Sequence, residues 1–321
     1  MNLIYHPSFL EHQTGSHPEN AERLRVFLPL NTFDFDSGET FLGLVHTSEY
    51  VREVQGIAEN DPGWIDGDTF VSAGSYQAAC MAAGAAIYAA STNGLALVRP
   101  PGHHAYPGRG TGFCIFNNVA IAVKHLLNSG HKRVLIFDFD GHYGDGTSDI
   151  FYDTPEVLFW SIHQYPAFPG KGYLDEIGAG RGTGYTLNVP VPPESGDDIY
   201  EHAINTFFPL AEQFNPDIVA FSAGFDAHHS DPLLNLRITN SLFYEIGRKF
   251  GERFPSHFAV LEGGYNLQYL KGSVFSFIQG IIGEEPGYPE HSTTSHKPVW
   301  DEYLHRVQQL KPLIRDHWNF D

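Results

Sequence analysis

The stretch Val134-Leu135-Ile136-Phe137-Asp138-Phe139-Asp140-Gly141-His142-Tyr143-Gly144-Asp145-Gly146-Thr147 carries the decision on fold. Four consecutive apolar residues pass into three carboxylates and an imidazole set among glycines, which reads as a strand buried on both faces running out into a polar loop. Similar apolar runs occupy residues 2–5, 95–98, 157–161, 218–222 and 258–261. Between them lie segments of helical period, clearest at 18–28, 75–91, 117–127, 198–214, 240–254 and 267–282. Buried strands alternating with helices predict an α/β fold, a single domain with a central parallel sheet flanked by helices. The 33 Gly and 21 Pro are dispersed and no repeat is visible. One domain is therefore expected over residues 1–321, with 284–321 forming a loop and a last helix, at 299–314, packed on its outside.

With 321 residues, 42% hydrophobic and 18% charged, the chain can bury a large core, which excludes a disordered tail. Two cysteines cannot build a disulfide framework and suit a reducing compartment, so a cytoplasmic protein is expected. No apolar run approaches the roughly 18 residues of a membrane span, and Met1 to Pro7 lack a basic segment followed by an apolar one. A formal charge of −19 repels a phosphate backbone and argues against nucleic acid as a partner, whereas a cationic partner would be attracted.

In parallel sheets the loops after the strands carry the site, because all strand C-termini open on one edge. His103-His104 follow the run at 95–98, Asp138 to Asp145 follow 134–137, His163 follows 157–161, Asp226 follows 218–222, and Glu262 to Tyr265 follow 258–261. In an extended stretch Asp138, Asp140 and His142 project to one side and can bracket one or two cations. Asp226 can close the set from the neighbouring loop. Asp140, His142 and Asp226 then leave a fourth position open, the pattern of a catalytic zinc and not of a sealed structural site. Such a metal makes a bound water easier to ionise and polarises a carbonyl. His103-His104, on the turn after Pro100-Pro101-Gly102, offer the base that this chemistry needs. Asp138 and Asp145 can each orient one imidazole, and Tyr265 on the Gly263-Gly264 turn can donate to a developing oxyanion. An Asp, His, Asp donor set accepts Fe²⁺ or Co²⁺ as well as Zn²⁺.

These motifs resemble the histone deacetylase and acetylpolyamine amidohydrolase family, of the arginase–deacetylase fold. The resemblance runs through Gly15-Ser16-His17-Pro18-Glu19, Pro101-Gly102-His103-His104-Ala105, Gly112-Phe113-Cys114-Ile115-Phe116-Asn117-Asn118, the Asp138 to Thr147 stretch, Ala223-Gly224-Phe225-Asp226, Asp231-Pro232 and Glu262-Gly263-Gly264-Tyr265-Asn266. The Gly112 and Glu262 segments are similar to the class II branch and its bacterial relatives. The resemblance implies a zinc-dependent amidohydrolase that removes an acetyl or other acyl group from an amine, such as acetyl-lysine or an acetylated polyamine. It implies one zinc on Asp140, His142 and Asp226, His104 as general base and acid, and His103 as its electrostatic partner. It pairs His103 with Asp138 and His104 with Asp145, and makes Tyr265 the group that polarises the amide carbonyl. It further implies a structural potassium held by Asp138, the main-chain oxygens of Asp140 and His142, and the positions of Ser161 and Ile162. Substrate contacts fall on Gly112, on Phe113 and Phe168, which sandwich the acyl-lysine stem, and on Leu233 at the pocket rim. Two positions depart from the pattern: Tyr143 stands where many relatives carry His, and Leu233 where polyamine-selective eukaryotic members carry Glu.

Two rival readings are weaker. A two-manganese ureohydrolase wants carboxylates two residues after His142 and after Asp226, where this chain has Gly144 and His228, of which only the imidazole at 228 could still ligate a second ion. A non-catalytic acyl-lysine binder has no use for His103, His104, Asp145 and Tyr265 aimed at one point.

Overall fold

The computed structural model describes residues 1–319. Its strands are β1 (Leu3–Ile4), β2 (Gly63–Trp64), β3 (Phe70–Val71), β4 (Leu95–Ala96), β5 (Val134–Asp138), β6 (Val157–Gln164), β7 (Thr186–Val191), β8 (Ile218–Ala223) and β9 (His257–Leu261). Its helices are α1 (Glu22–Arg25), α2 (Ser48–Asn60), α3 (Ser75–Thr92), α4 (Asn118–Asn128), α5 (Asp145–Phe151), α6 (Asp197–Phe214), α7 (Asn240–Arg253), α8 (Leu270–Ile282) and α9 (Lys297–Ile314). Seven strands form one parallel sheet in the order β1-β4-β9-β8-β5-β6-β7, and β2 with β3 make a small antiparallel hairpin. Every residue of β5, β6, β7 and β8 is buried, as expected of a sheet covered by helices. No helix among the described residues is long and apolar enough to cross a membrane.

The chain lays β6 and β7 outward from β5, then returns to place β8 on the other side of β5. This reversal sets Asp138 level with Ser222 and Ala223 level with Leu261, so three loops leave the sheet side by side. Such a switch point opens a crevice beyond the strand C-termini, where α/β folds bind their ligands. Phe139, between two carboxylates, points the other way and packs on Phe225 and Phe277 at centroid distances of 5.6 and 5.2 Å. The strand alternation thus anchors the acidic loop to the core through its apolar neighbour.

Several boundaries differ from expectation. β7 was not anticipated, because Asn188 and Pro190 interrupt its apolar pattern; an edge strand tolerates Pro, and Arg306 of α9 caps the Pro190 carbonyl at 3.4 Å. The helix expected at 18–28 contracts to α1, since residues 17–20 form a turn in which Asn20 bonds the His17 carbonyl at 2.7 Å and Glu19 faces inward. β4 is two residues long, and α2 and α5 are additional helices. The segment before α9 is irregular but pinned: Thr293 and Ser295 donate their amides to Asp197 and Asp198 at the start of α6.

Glu19, Arg23, Arg99 and His12 form a buried ionic group. Glu19 receives Arg23 at 3.1 Å, Arg99 Nη2 at 2.8 Å and His12 Nε2 at 3.4 Å. Arg99 also donates to the carbonyls of Phe9 and His12 at 3.1 Å, and Arg23 to the carbonyl of Gly264 at 2.7 Å. The N-terminal segment, the loop after β4 and the turn after β9 are thereby tied together. Burial opposes a charge on Glu19, but Arg99 and the hydrogen bonds from His12 and Arg99 hold its carboxyl well below the usual range. A depressed folded-state value contributes stability above the ordinary carboxylate value of 4.5, and that stability is lost as pH falls below it. Glu19→Gln, which leaves two guanidinium groups buried with one neutral partner, is expected to cost about 3–5 kcal/mol in urea unfolding at pH 7. The difference from wild type should shrink on acidification below the carboxylate range.

Candidate active site

Asp140 stands two residues beyond β5 and Asp226 three beyond β8, and the switch point brings both to His142. One donor atom of each lies within 4.8 Å of the others. His142 Nδ1 is 2.7 Å from Asp226 Oδ2 and 3.4 Å from Asp140 Oδ1. Backbone amides hold the carboxylates from behind: Gly141 donates to Asp226 Oδ1 at 2.7 Å, His142 to Asp140 Oδ1 at 2.9 Å, and Gly263 to Asp140 Oδ2 at 2.8 Å. Gly263 must lack a side chain, because a Cβ there would sit 2.5 Å from Asp226 Oδ2 and 2.6 Å from Asp140 Oδ2. Burial disfavours a charge on His142, yet Asp226 and Asp140 push its pKa up to about 10. The two carboxylates thus draw a positive charge onto the imidazole between them. A divalent cation meets the same demand by displacing that proton, so this O,N,O donor set fits one.

His103 and His104 enter from the loop after β4, their rings 4.0 Å apart. Spacing alone leaves open which carboxylate orients which imidazole, and the family resemblance pairs His103 with Asp138 and His104 with Asp145; the geometry sets His103 Nδ1 3.2 Å from Asp138 Oδ2 and His104 Nδ1 2.7 Å from Asp145 Oδ1. Burial and the adjacent His103 lower the pKa of His104. Its imidazole is therefore neutral near pH 7, with Nδ1–H given to Asp145 and Nε2 free to take a proton. Burial and Asp140 raise Asp138, which accepts the Asp140 amide at 3.1 Å.

Glu262 is a site residue to which sequence reasoning gave no role. Its Oε2 accepts the amides of Gly102 at 2.7 Å and His103 at 3.1 Å, fixing the turn that aims both imidazoles, while its Oε1 has no hydrogen-bond partner among the described residues. Burial pushes its carboxyl up to about 7. Only tertiary structure couples position 262 to 102 and 103. Asp231 plays the corresponding part for Tyr265, accepting the amides of Tyr265 at 2.6 Å and Asn266 at 3.2 Å. The Tyr265 hydroxyl has no hydrogen-bond partner among the described residues, burial keeps it protonated, and Arg23 stands 4.9 Å over its ring.

Phe113 has φ +70°, strained for a residue with a side chain, and its amide is held by Thr69 Oγ1 at 3.0 Å. Its ring meets Tyr265 edge-on at 5.6 Å and His17 at 4.5 Å. Phe168, 44% exposed, lies edge-on to His104 at 5.0 Å. Gly112 (φ +56°) separates them: a Cβ there would come within 2.6 Å of the His104 ring and 2.8 Å of Phe168. Leu233 is exposed on the loop that Asp231 anchors through the Leu233 amide at 3.1 Å. Ser161 is level with Asp138 across β5 and β6, followed by Ile162, and its hydroxyl is bonded to His163 Nδ1 at 2.9 Å. Tyr143 is buried away from the trio, donating to Ser148 Oγ at 2.6 Å.

His228, His229 and Glu290 form a separate group of donors. His228 Nδ1 accepts the Ser230 amide at 3.2 Å, so Nε2 carries the proton and donates to Glu290 at 3.0 Å. The second-ion reading loses this ligand, since the ring is committed to Glu290 and stacked on Tyr269 at 4.7 Å.

The histone deacetylase domain profile matches residues 17–281. A probable deacetylase of Archaeoglobus fulgidus is 36% identical, with 98% of each chain covered. The crystal structure of the HDA15 HD domain superposes with a TM-score of 0.89 at 32% identity, covering 99% of this chain and 94% of that one. The acetylpolyamine aminohydrolase from Burkholderia pseudomallei gives 0.80 at 28% identity, covering 88% of this chain and 98% of its own.

The position of Gly112 yields a direct expectation. Gly112→Ala adds a Cβ between His104 and Phe168 at a positive φ, and should lower kcat/KM on any substrate of this site by about tenfold or more while far-UV circular dichroism stays unchanged.

Proposed function

This chain belongs to the histone deacetylase family, and on that premise we propose that it is a zinc-dependent amidohydrolase that removes an acetyl or related acyl group from an amine. One observation supports this reading above others: an acidic metal-ligand trio, a neutral imidazole oriented by Asp145, and an unpaired tyrosine hydroxyl gather at one switch-point crevice. Asp140, His142 and Asp226 would hold the zinc. When bound, the ion supplies Lewis acidity toward the amide carbonyl and makes water more acidic.

The chain's own residues do the rest. His104 Nε2 takes the proton of the attacking water and returns it to the amine nitrogen as the C–N bond breaks, while Asp145 keeps the Nδ1–H tautomer that leaves Nε2 available. The Tyr265 hydroxyl donates to the carbonyl oxygen as it gains charge, and its freedom from any other partner leaves that bond available. His103, paired with Asp138, supplies a second imidazole beside the first. Phe113 and Phe168 bracket the aliphatic stem of the acylated amine, with Gly112 at their base and Leu233 at the rim. Asp138, the main-chain oxygens of Asp140 and His142, and Ser161 with Ile162 would hold a structural potassium. The substrate is acetyl-lysine or an acetylated polyamine, a reading supported by the likeness to the Burkholderia acetylpolyamine aminohydrolase and by the chain's −19 charge, which favours a cationic amine. Residues 1–321 act as one catalytic unit, and the buried free thiols Cys80 and Cys114 suit the cytoplasm.

Zinc-loaded protein should release acetate from an acetyl-lysine peptide or an acetylspermidine-type amide, lose that activity to a chelator and regain it with Zn²⁺. No release from any short or long acyl amide would overturn the proposal. Tyr265→Phe should lower kcat and kcat/KM together by roughly 10²–10³ on an ordinary acetamide with zinc content unchanged, because the bond it removes forms only as the oxyanion does.

A further inference from the structure

The Asp145 carboxylate is held on two sides. One oxygen takes His104 Nδ1–H at 2.7 Å, and the other accepts the hydroxyl of Tyr106 at 2.7 Å. Tyr106 in turn accepts from Lys171 Nζ at 2.9 Å. An ammonium group only donates and the ionised carboxylate of Asp145 only accepts, so the direction of every bond is fixed: Lys171 to Tyr106, Tyr106 to Asp145, His104 to Asp145. Tyr106 is buried, and Arg109 lies 4.0 Å over its ring, holding the ring plane. Lys171 is exposed, at the edge of a cavity of about 300 Å³ that Tyr106, Asp145, Ser148 and Asp149 also line. The catalytic pair therefore has a second contact with solvent, through this chain of bonds, from the far side of Asp145.

We propose that Tyr106 and Lys171 are positioning residues that lock Asp145, and through it the His104 tautomer, in the arrangement that leaves His104 Nε2 as a bare acceptor. The inference rests on the amidohydrolase reading for its consequence in rate, but its geometry stands without that reading. With both oxygens engaged, Asp145 cannot rotate away from His104 or offer itself as a donor; without the Tyr106 hydroxyl one oxygen is left nearly buried and unpaired, and the carboxylate gains alternative orientations. Burial and the Asp145 charge keep the Tyr106 phenol protonated, so it remains a donor across the working pH range.

The test combines kinetics with a structural readout. Tyr106→Phe should lower kcat roughly tenfold to a hundredfold, with KM and zinc content unchanged, as removal of an outer partner of a catalytic group does. In an Asp145→Asn background the same substitution should have almost no further effect, because its route to His104 is already altered. Lys171→Met should lower kcat about threefold, the scale of an exposed and solvent-screened charge, and Lys171→Arg should restore it. ¹⁵N spectra of the histidine rings should show His104 as the Nδ1–H tautomer in wild type and a mixed population in Tyr106→Phe. Equal losses from Tyr106→Phe in both backgrounds, wild-type kcat in Tyr106→Phe and Lys171→Met, or unchanged His104 ring signals would each overturn the proposal. A wild-type protein inactive on every amide would remove the amidohydrolase reading, and the ring signals would still decide this one.

Discussion

The burial of negative charge at the switch point governs this structure. Asp138, Asp140, Asp226 and Glu262 are each 1% exposed or less, all within reach of one crevice. An ionised carboxylate taken out of water costs several kcal/mol unless it is paired and hydrogen-bonded. The fold meets part of that cost with backbone amides from Gly102, His103, Gly141, His142 and Gly263, and part with the imidazoles of His103 and His142. Burial still raises Asp138, Asp226 and Glu262, and the trio keeps a proton on His142. The demand for concentrated positive charge is greatest at the point where Asp140, His142 and Asp226 converge.

The rest of the architecture serves to keep that point small and rigid. Register across β5, β8 and β9 delivers three loops at one level, and glycine at 263 lets a main-chain amide approach where any side chain would collide with two carboxylates. Behind the Tyr265 turn stands the Glu19, Arg23 and Arg99 group, whose guanidinium at 23 bonds the carbonyls of Glu262 and Gly264. One buried salt-bridge group thus connects the N-terminal segment to the loop that presents the tyrosine. Rigidity here has a chemical purpose, since a hydroxyl and an imidazole displaced by even about 1 Å lose much of their effect on a reacting carbonyl.

The sheet was legible because its central strands are apolar on both faces: 134–137 and 218–222 carry no competing pattern. β7 was not, since Pro190 and Asn188 disguise an edge strand, and the helix expected at 18–28 failed because Glu19 and Arg23 turn inward to a tertiary salt bridge that local periodicity does not reveal. Candidate ligands and bases were legible as polar clusters directly after strands, where topology forces convergence. The groups that hold them were hidden: Glu262 reaches Gly102 and His103 across 160 and 159 residues, and Asp231 reaches the Tyr265 amide across 34. Such bonds depend on which loops lie side by side, which spacing within a single chain does not record.

The most direct test of the central claim, that one divalent cation answers the charge of Asp140, His142 and Asp226, is calorimetric titration of the metal-free protein with Zn²⁺, with metal content checked after dialysis. The account predicts a single tight site per chain, absent from Asp226→Ala while that variant keeps its secondary structure. Binding of two ions per chain, or undiminished binding by Asp226→Ala, would contradict it.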